Sequence, residues 1–266
     1  PRIAPSRPDL VWFGGADAAR FLNDLLSQEV SGMEAGDSRR SLLLNPMGKV
    51  DHILWVIGAP GRIGLVTEPG RGEELAAALG RYRIRVDVTV ASETAPVWLV
   101  IAGGDGYDVS WAGAPRRLVI GERPDLAEES HERYEALRIA AGEPMWGVDI
   151  DETAIPQETG LVEASVDFDK GCFLGQELVA RINSRGGAAP RRLRLLDLDA
   201  PAEVGAPIER EGKRVGALTS VSGGVGMALI HRDVGDGDAV AVGGATAAVR
   251  AVPPKPQTHL TDSLQM

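Results

Sequence analysis

Lys170-Gly171-Cys172-Phe173-Leu174-Gly175-Gln176-Glu177 brings a cation, a thiol, two glycines, an amide and a carboxylate into one short stretch. Glycine permits positive φ and close backbone approach to a neighbour or ligand. Lys170 beside Cys172 could stabilise a thiolate. The residues alone also allow a plain structural reading. A lone cysteine ahead of an aromatic behaves as a small buried hydrophobe, and Gln176-Glu177 could simply open a helix through Ala180.

The charge changes sign around this octet. Upstream, from Trp146 to Asp169, the chain is irregular and acidic, with Asp149, Asp151, Glu152, Glu158, Glu163, Asp167 and Asp169. Downstream, Arg181, Arg185, Arg191, Arg192 and Arg194 face only Glu177 as an opposing charge. Past Pro190 the texture becomes short strands with glycine turns: Leu193 to Leu198, Arg214 to Val221, Gly226 to His231, Ala239 to Val242 and Thr246 to Val252. That spacing predicts a small β-barrel. Pro253 to Met266 reads as a tail.

Towards the N-terminus, Ala18, Phe21, Leu22, Leu25 and Leu26 form one apolar stripe, predicting a helix over Asp17 to Ser27. Strands are expected at Ser41 to Asn45, Val50 to Ile57 and Ile63 to Thr67, with an Asn45-Pro46-Met47-Gly48 turn. A helix follows at Arg71 to Gly80. Ile84, Val86, Val88 and Val90 alternate with polar residues, the period of a half-buried strand. Val97 to Ala102 reads as a central strand and Glu128 to Ala141 as a second amphipathic helix.

Composition narrows the function classes. There are 28 basic and 38 acidic residues, a net charge of −10, which disfavours a general nucleic-acid coat because phosphate binding needs a basic surface. No apolar run approaches the roughly 18 residues of a membrane span, and Pro1-Arg2-Ile3-Ala4-Pro5 lacks the pattern of a secretory signal. Cys172 is the single cysteine. It cannot form an internal disulfide or build a cysteine-based metal site alone, and a reducing cytoplasm is the expected compartment. The four histidines show no metal-ligand spacing, so no metal site is expected. The G-x-G triplets beginning at Gly104, Gly224 and Gly235 lack the third small residue of a dinucleotide fingerprint. Gly48-Lys49 lacks the rest of a P-loop.

Continued through Leu178-Val179-Ala180-Arg181-Ile182-Asn183-Ser184-Arg185-Gly186, the octet closely resembles the signature of the YgfZ family, folate-binding proteins similar to the glycine-cleavage T-protein, an aminomethyltransferase. Ile155-Pro156-Gln157-Glu158-Thr159-Gly160-Leu161 and Arg138-Ile139-Ala140-Ala141-Gly142-Glu143-Pro144 resemble the family upstream. Gly14-Gly15-Ala16-Asp17-Ala18 and Leu43-Leu44-Asn45-Pro46-Met47-Gly48-Lys49-Val50 resemble the T-protein N-terminal pattern.

The resemblance implies an α+β aminomethyltransferase-like folate-binding fold, with folate in a central channel. Residues 1–190 would form a discontinuous folate-binding region with a ferredoxin-like insertion near 50–125, residues 191–252 a C-terminal β-barrel and residues 253–266 a tail. It implies tetrahydrofolate or a one-carbon derivative as cofactor. In T-proteins the Glu of a Pro-x-Glu-Ala-Gly-Leu sequence accepts the paired donors of the pterin edge. Glu158 aligns with it, and a carboxylate suits such a bidentate, charge-assisted contact. Lys170, Gly171, Gly175, Gln176, Glu177, Arg181 and Arg185 join it as candidate folate-binding residues, the arginines for the anionic glutamate tail. Asp51 and Cys172 are the candidate catalytic residues. T-proteins carry paired acids where this chain reads Asp51-His52, and Cys172 is associated in the family with an iron–sulfur role.

The function expected is a tetrahydrofolate-binding accessory protein for iron–sulfur cluster assembly or repair. Its partners would be folate and iron–sulfur client proteins, including tRNA-modifying ones, with no membrane, no direct nucleic-acid binding, and a monomeric state. A folate-dependent aminomethyl or methyl transferase is the alternative, and an RNA-binding module using the arginines between Arg181 and Arg194 a second one.

Overall fold

The computed structural model describes residues 1–253. Its framework is a five-stranded antiparallel sheet. The strands are β2 (Asp9–Gly14), β3 (Ser38–Leu44), β4 (Val50–Ala59), β5 (Arg62–Thr67) and β6 (Thr89–Ser92), in the spatial order β3-β4-β5-β2-β6. Successive strand residues point to opposite faces, and this sheet uses both. Val11, Phe13, Leu43, Leu54, Val56 and Leu65 pack under α1 (Ala18–Leu25) and α2 (Gly72–Gly80). Each such fully buried side chain contributes about 1.5–3 kcal/mol. Their neighbours Leu10, Trp12, Ile57 and Val66 face the other way, against Val97, Val109 and Leu118.

That second layer is a four-stranded sheet in the order β1-β7-β9-β8, made of β1 (Arg2–Ile3), β7 (Val97–Ile101), β8 (Tyr107–Asp108) and β9 (Arg116–Ile120). The stretch near 50–125 is therefore divided between two sheets, with β4, β5 and β6 in the first and β7 to β9 in the second. The strand expected from Ile84 is paired only from Thr89. Arg85 takes φ +54°, and Ile84 is 72% exposed. The Asp87 carbonyl accepts the Asp17 N–H ahead of α1, so Val86 and Val88 lie in an irregular connection while Val90 pairs in β6.

The helix α3 (His131–Ala140) is capped by Ser130, whose side chain accepts the Arg133 N–H. It leads through Gly142 to the irregular acidic segment, with a 3-10 turn at Pro156–Glu158, a short α4 (Val162–Ser165) and α5 (Gln176–Ser184). A Cβ at Gly142, φ +59°, would sit 2.7 Å from Val252 Cβ. Only glycine lets the end of α3 approach the last strand so closely.

Residues 191–251 form a seven-stranded antiparallel sheet: β10 (Arg191–Leu198), β11 (Pro207–Arg210), β12 (Lys213–Ala217), β13 (Ser220–Ser222), β14 (Val225–His231), β15 (Ala239–Val242) and β16 (Ala245–Ala251). The order is β12-β11-β15-β16-β10-β14-β13. The sheet rolls up: at Gly216 on β12 a Cβ would lie 2.8 Å from the Leu229 carbonyl of β14. Its interior holds Leu196, Ile208, Leu218, Ile230 and Val249. The barrel expected from the glycine-punctuated strands is present, with β11 as an additional strand and the expected Arg214 to Val221 strand divided into β12 and β13. The expected tail, apart from Pro253, lies outside the described residues.

Candidate functional site

The octet folds as a brace. Lys170 reaches back to α1, and its Nζ donates to the carbonyls of Asn23 (2.6 Å), Leu26 (2.7 Å) and Gln28 (3.0 Å). These carbonyls lie at and just past the helix C-terminus, where backbone acceptors lack helical partners and a cation is favoured. Burial pulls the ammonium down to about 8, against the opposing pull of Glu29, Asp167 and Asp24. Lys170 is thus committed to backbone rather than to the thiol.

Phe173 is buried with Leu42, Leu44 and Val179. Gly175 takes φ +74°, and a Cβ there would meet the Asn45 carbonyl at 2.5 Å. Facing it, a Cβ on Gly48, φ +75°, would meet Leu178 Cβ at 2.8 Å. The two glycines let the octet and the Asn45–Gly48 turn close backbone to backbone. Gln176 completes the loop, its Oε1 accepting the Phe173 N–H at 3.2 Å. Gly171, Cys172, Glu177, Arg181 and Arg185 are exposed.

Glu158 stands elsewhere. It is 2% exposed, and Arg191 at the start of β10 grips both its oxygens, Nε to Oε1 at 2.9 Å and Nη2 to Oε2 at 3.0 Å. The Ile155 N–H adds a bond to Oε2 at 3.2 Å. The bidentate partner expected from a pterin is already supplied by the barrel, so the geometry makes Glu158 a clasp between the acidic segment and β10. Both carboxylate oxygens expected to face a pterin are thus engaged by Arg191 in this structure.

A cavity is bounded by the five-stranded sheet, the four-stranded sheet and α3. Its volume is about 120 Å³, the scale of a cavity that takes one aromatic ring. Neither Glu158 nor any residue from Lys170 to Arg185 lines it. Period two on β4 brings Ile53 and Trp55 to its wall; Asp51 does not line it. Burial and nearby Glu74 hold the Asp51 carboxyl above its ordinary value, with Arg71 and Arg81 opposing.

The polar wall was not legible in the sequence. Arg40 and Arg116 converge on Glu143. Arg40 Nη1 lies 3.4 Å from Glu143 Oε1, and Arg116 Nη1 donates to Oε2. All three side chains are at least nine-tenths buried. Burial would raise the Glu143 carboxyl, but the two guanidinium groups hold it below its usual range. The Arg40 guanidinium also lies 5.0 Å from the ring of Trp55 and 4.9 Å from that of Trp111, an aromatic cradle for a cation. Behind Glu143, Arg138 donates to its carbonyl (2.8 Å), to Asp149 (2.6 Å) and to Ser220 of the barrel (2.8 Å).

A second polar chain reaches the cavity from β4. His52 is fully buried, with Nδ1 3.4 Å from Thr67 Oγ1. Thr67 Oγ1 donates to Glu68 Oε2 at 3.0 Å, which leaves its lone pair for a proton on His52 Nδ1. His52 Nε2 has no partner. Burial and Arg71 pull the imidazole down to about 4, with Glu74 opposing, so His52 is neutral near pH 7. Glu68 is half-buried, accepts from Thr67, and has no ion-pair partner among the described residues. It is the cavity-wall carboxylate without a paired cation, and its Thr67-Glu68-Pro69 context carries no signal in the sequence.

A groove of about 590 Å³ shares Arg116 and Tyr134 with this cavity and is bordered by Arg2 and Arg133. Among the described residues no group of three or more His, Cys, Asp or Glu is placed to hold a metal ion, and no helix is long and apolar enough to cross a membrane.

Comparison with known proteins agrees with this architecture. Residues 191–257 match the family described as CAF17, C-terminal beta-barrel domain. An Arabidopsis thaliana chloroplast protein named as a transferase is 40% identical over 95 residues, which cover 34% of this chain and 21% of that protein. The mitochondrial iron–sulfur cluster assembly factor IBA57 homolog of Cryptococcus neoformans is 25% identical over 322 residues, covering 89% of this chain and 85% of the relative. The glycine cleavage system aminomethyltransferase T of Bartonella henselae superposes with a TM-score of 0.81 at 18% identity, over 95% of this chain and 86% of that one. The overall fold is aminomethyltransferase-like, and residues 191–257 carry the barrel described for CAF17.

Proposed function

We propose that this protein is an accessory factor for iron–sulfur cluster assembly that holds a tetrahydrofolate-class ligand between its five- and four-stranded sheets. The observation that carries the reading is the cavity there, where a carboxylate without a paired cation, Glu68, and an aromatic wall, Trp55, meet a ring-sized space. A pterin presents adjacent N–H donors and a flat face, and Glu68 and Trp55 are the groups of this wall suited to each. In the neighbouring groove Arg2 and Arg133 share Glu129, and the remaining positive charge suits the anionic glutamate end. The residues therefore fit the group. When bound, tetrahydrofolate would supply one-carbon chemistry; this chain's residues would orient it and exclude water.

The cluster-assembly role follows from the names of relatives aligned along most of the chain. The YgfZ-like signature supports the same reading, with iron–sulfur clients that include tRNA-modifying enzymes. Cys172 is exposed on the octet loop, available to a partner. With one thiol per chain, a cluster would take its other ligands from that partner. A monomer in a reducing cytoplasm is the state this proposal assumes.

The test is anaerobic calorimetric titration with tetrahydrofolate. One saturable site is expected. Glu68→Gln should weaken it at least about tenfold, since a charged hydrogen bond contributes about 1.5–3 kcal/mol and a tenfold change is about 1.4 kcal/mol. Absence of binding, or equal affinity in the variant, would remove the folate assignment.

A further inference from the structure

The Arg40–Glu143–Arg116 cluster holds two cations and one anion away from water. Arg138 is separately matched by Glu135 and Asp149. Glu68, half-buried across the wall, moderates the charge without pairing to it. One positive charge of the trio is left without a contacting anion. The shortfall has an atomic location: Arg40 Nε is buried and has no hydrogen-bond acceptor. Arg40 is 6% exposed and lines the cavity. A buried donor without an acceptor is costly, and so is an unmatched buried charge. Burial outweighs the favourable pull of Glu143 and Glu68 and holds the Arg40 guanidinium below its ordinary value. The pair Trp55 and Trp111 softens the cost but supplies no acceptor for Nε.

We propose that this cluster is a binding site for a small monocarboxylate, whose anionic oxygens accept from Arg40 and Arg116 inside this cavity. A carboxylate matches the planar guanidinium fork. One negative charge balances the trio, with Glu68 standing apart from it, and a phosphate dianion would exceed that balance. Leu99, Val109 and Leu118 give the cavity apolar wall for a short alkyl chain. A carboxylate with a short alkyl chain fits this space, which it would share with the proposed pterin position. The site goes beyond the folate reading and is tested without folate.

Trp55 and Trp111 flank Arg40, so indole fluorescence reports on the site. Propionate and acetate, titrated into the folate-free protein, should each give a saturable fluorescence change and raise the thermal midpoint. Arg40→Lys keeps the charge and loses Nε. It should weaken propionate at least tenfold, while Arg192→Lys on the exposed face of β10 should leave it unchanged. On the wild-type protein, nuclear Overhauser contacts from the propionate methyl to the Trp55 indole should appear whatever the stability of the Arg40 variant. The proposal fails if neither carboxylate saturates, if the Overhauser contacts are absent, if Arg40→Lys binds as wild type, or if phosphate binds and the carboxylates do not.

Discussion

Acidification tests the setting of His52. The imidazole is fully buried on β4 and held neutral, with its pKa pulled from 6.5 to about 4. In the unfolded chain it titrates near 6.5. Between those values the unfolded state binds the extra proton, so stability rises with pH and is lost as pH falls from 6.5 towards 4. Above 6.5 both states are neutral and the contribution is flat. The span is 6.5 − 4 = 2.5 pK units, which at about 1.36 kcal/mol each gives about 3 kcal/mol. That is a large share of a typical domain stability of about 5–15 kcal/mol. Urea unfolding at a series of pH values, wild type against His52→Gln, isolates the effect. Paired carboxylates such as Glu143 also respond to acid, but they do so in both proteins. The difference between the two curves should grow by about 3 kcal/mol from pH 4 to 6.5 and stay constant above. Parallel curves would refute the buried neutral imidazole.

Two further substitutions probe the clasps around the octet. Gly175→Ala places a Cβ 2.5 Å from the Asn45 carbonyl at φ +74°, so it should cost about 1–3 kcal/mol and lower the urea midpoint, with amide exchange quickening at Asn45–Gly48. Arg191→Met leaves the Glu158 carboxylate buried without its cation and should cost about 2 kcal/mol. That is less than the ~3–5 kcal/mol of a fully buried pair, because Arg191 is partly exposed. Adding Glu158→Gln should restore part of the loss, and a double variant no better than Arg191→Met would contradict the clasp.

Much of the fold is local and therefore legible. The stripe from Ala18 to Leu26 gives α1 because its period reports burial on one side. The glycine turns after Pro190 give the barrel because positive φ is a property of single residues. The strand drawn from Ile84 failed for the same kind of reason in reverse. Its alternation is real, but Arg85 bends the chain, and Asp87 is held by the start of α1. The site was less legible because its partners are distant. Arg40, Arg116 and Glu143 come from two different sheets and the turn after α3, and nothing in their neighbours announces the meeting. Glu158 shows the complementary limit. A pattern fixed where the carboxylate sits, but its partner, Arg191, lies 33 residues on. Lys170 and Cys172 stand two positions apart, yet one is bound into the scaffold and the other faces solvent.

The attachments of the barrel bear on how this chain can be divided. Ser220 donates to Asp149 and accepts from Arg138, Thr219 also donates to Asp149, and Arg191 holds Glu158. Cutting the chain before residue 191 would strip partners from two carboxylates and a guanidinium that are already out of water. The remaining N-terminal portion would have to hydrate or protonate them, loosening the turn after α3 from which Glu143 enters the cavity. The barrel is therefore part of one cooperative unit with the Glu143 cavity, and its removal should register at that cavity rather than only at the cut.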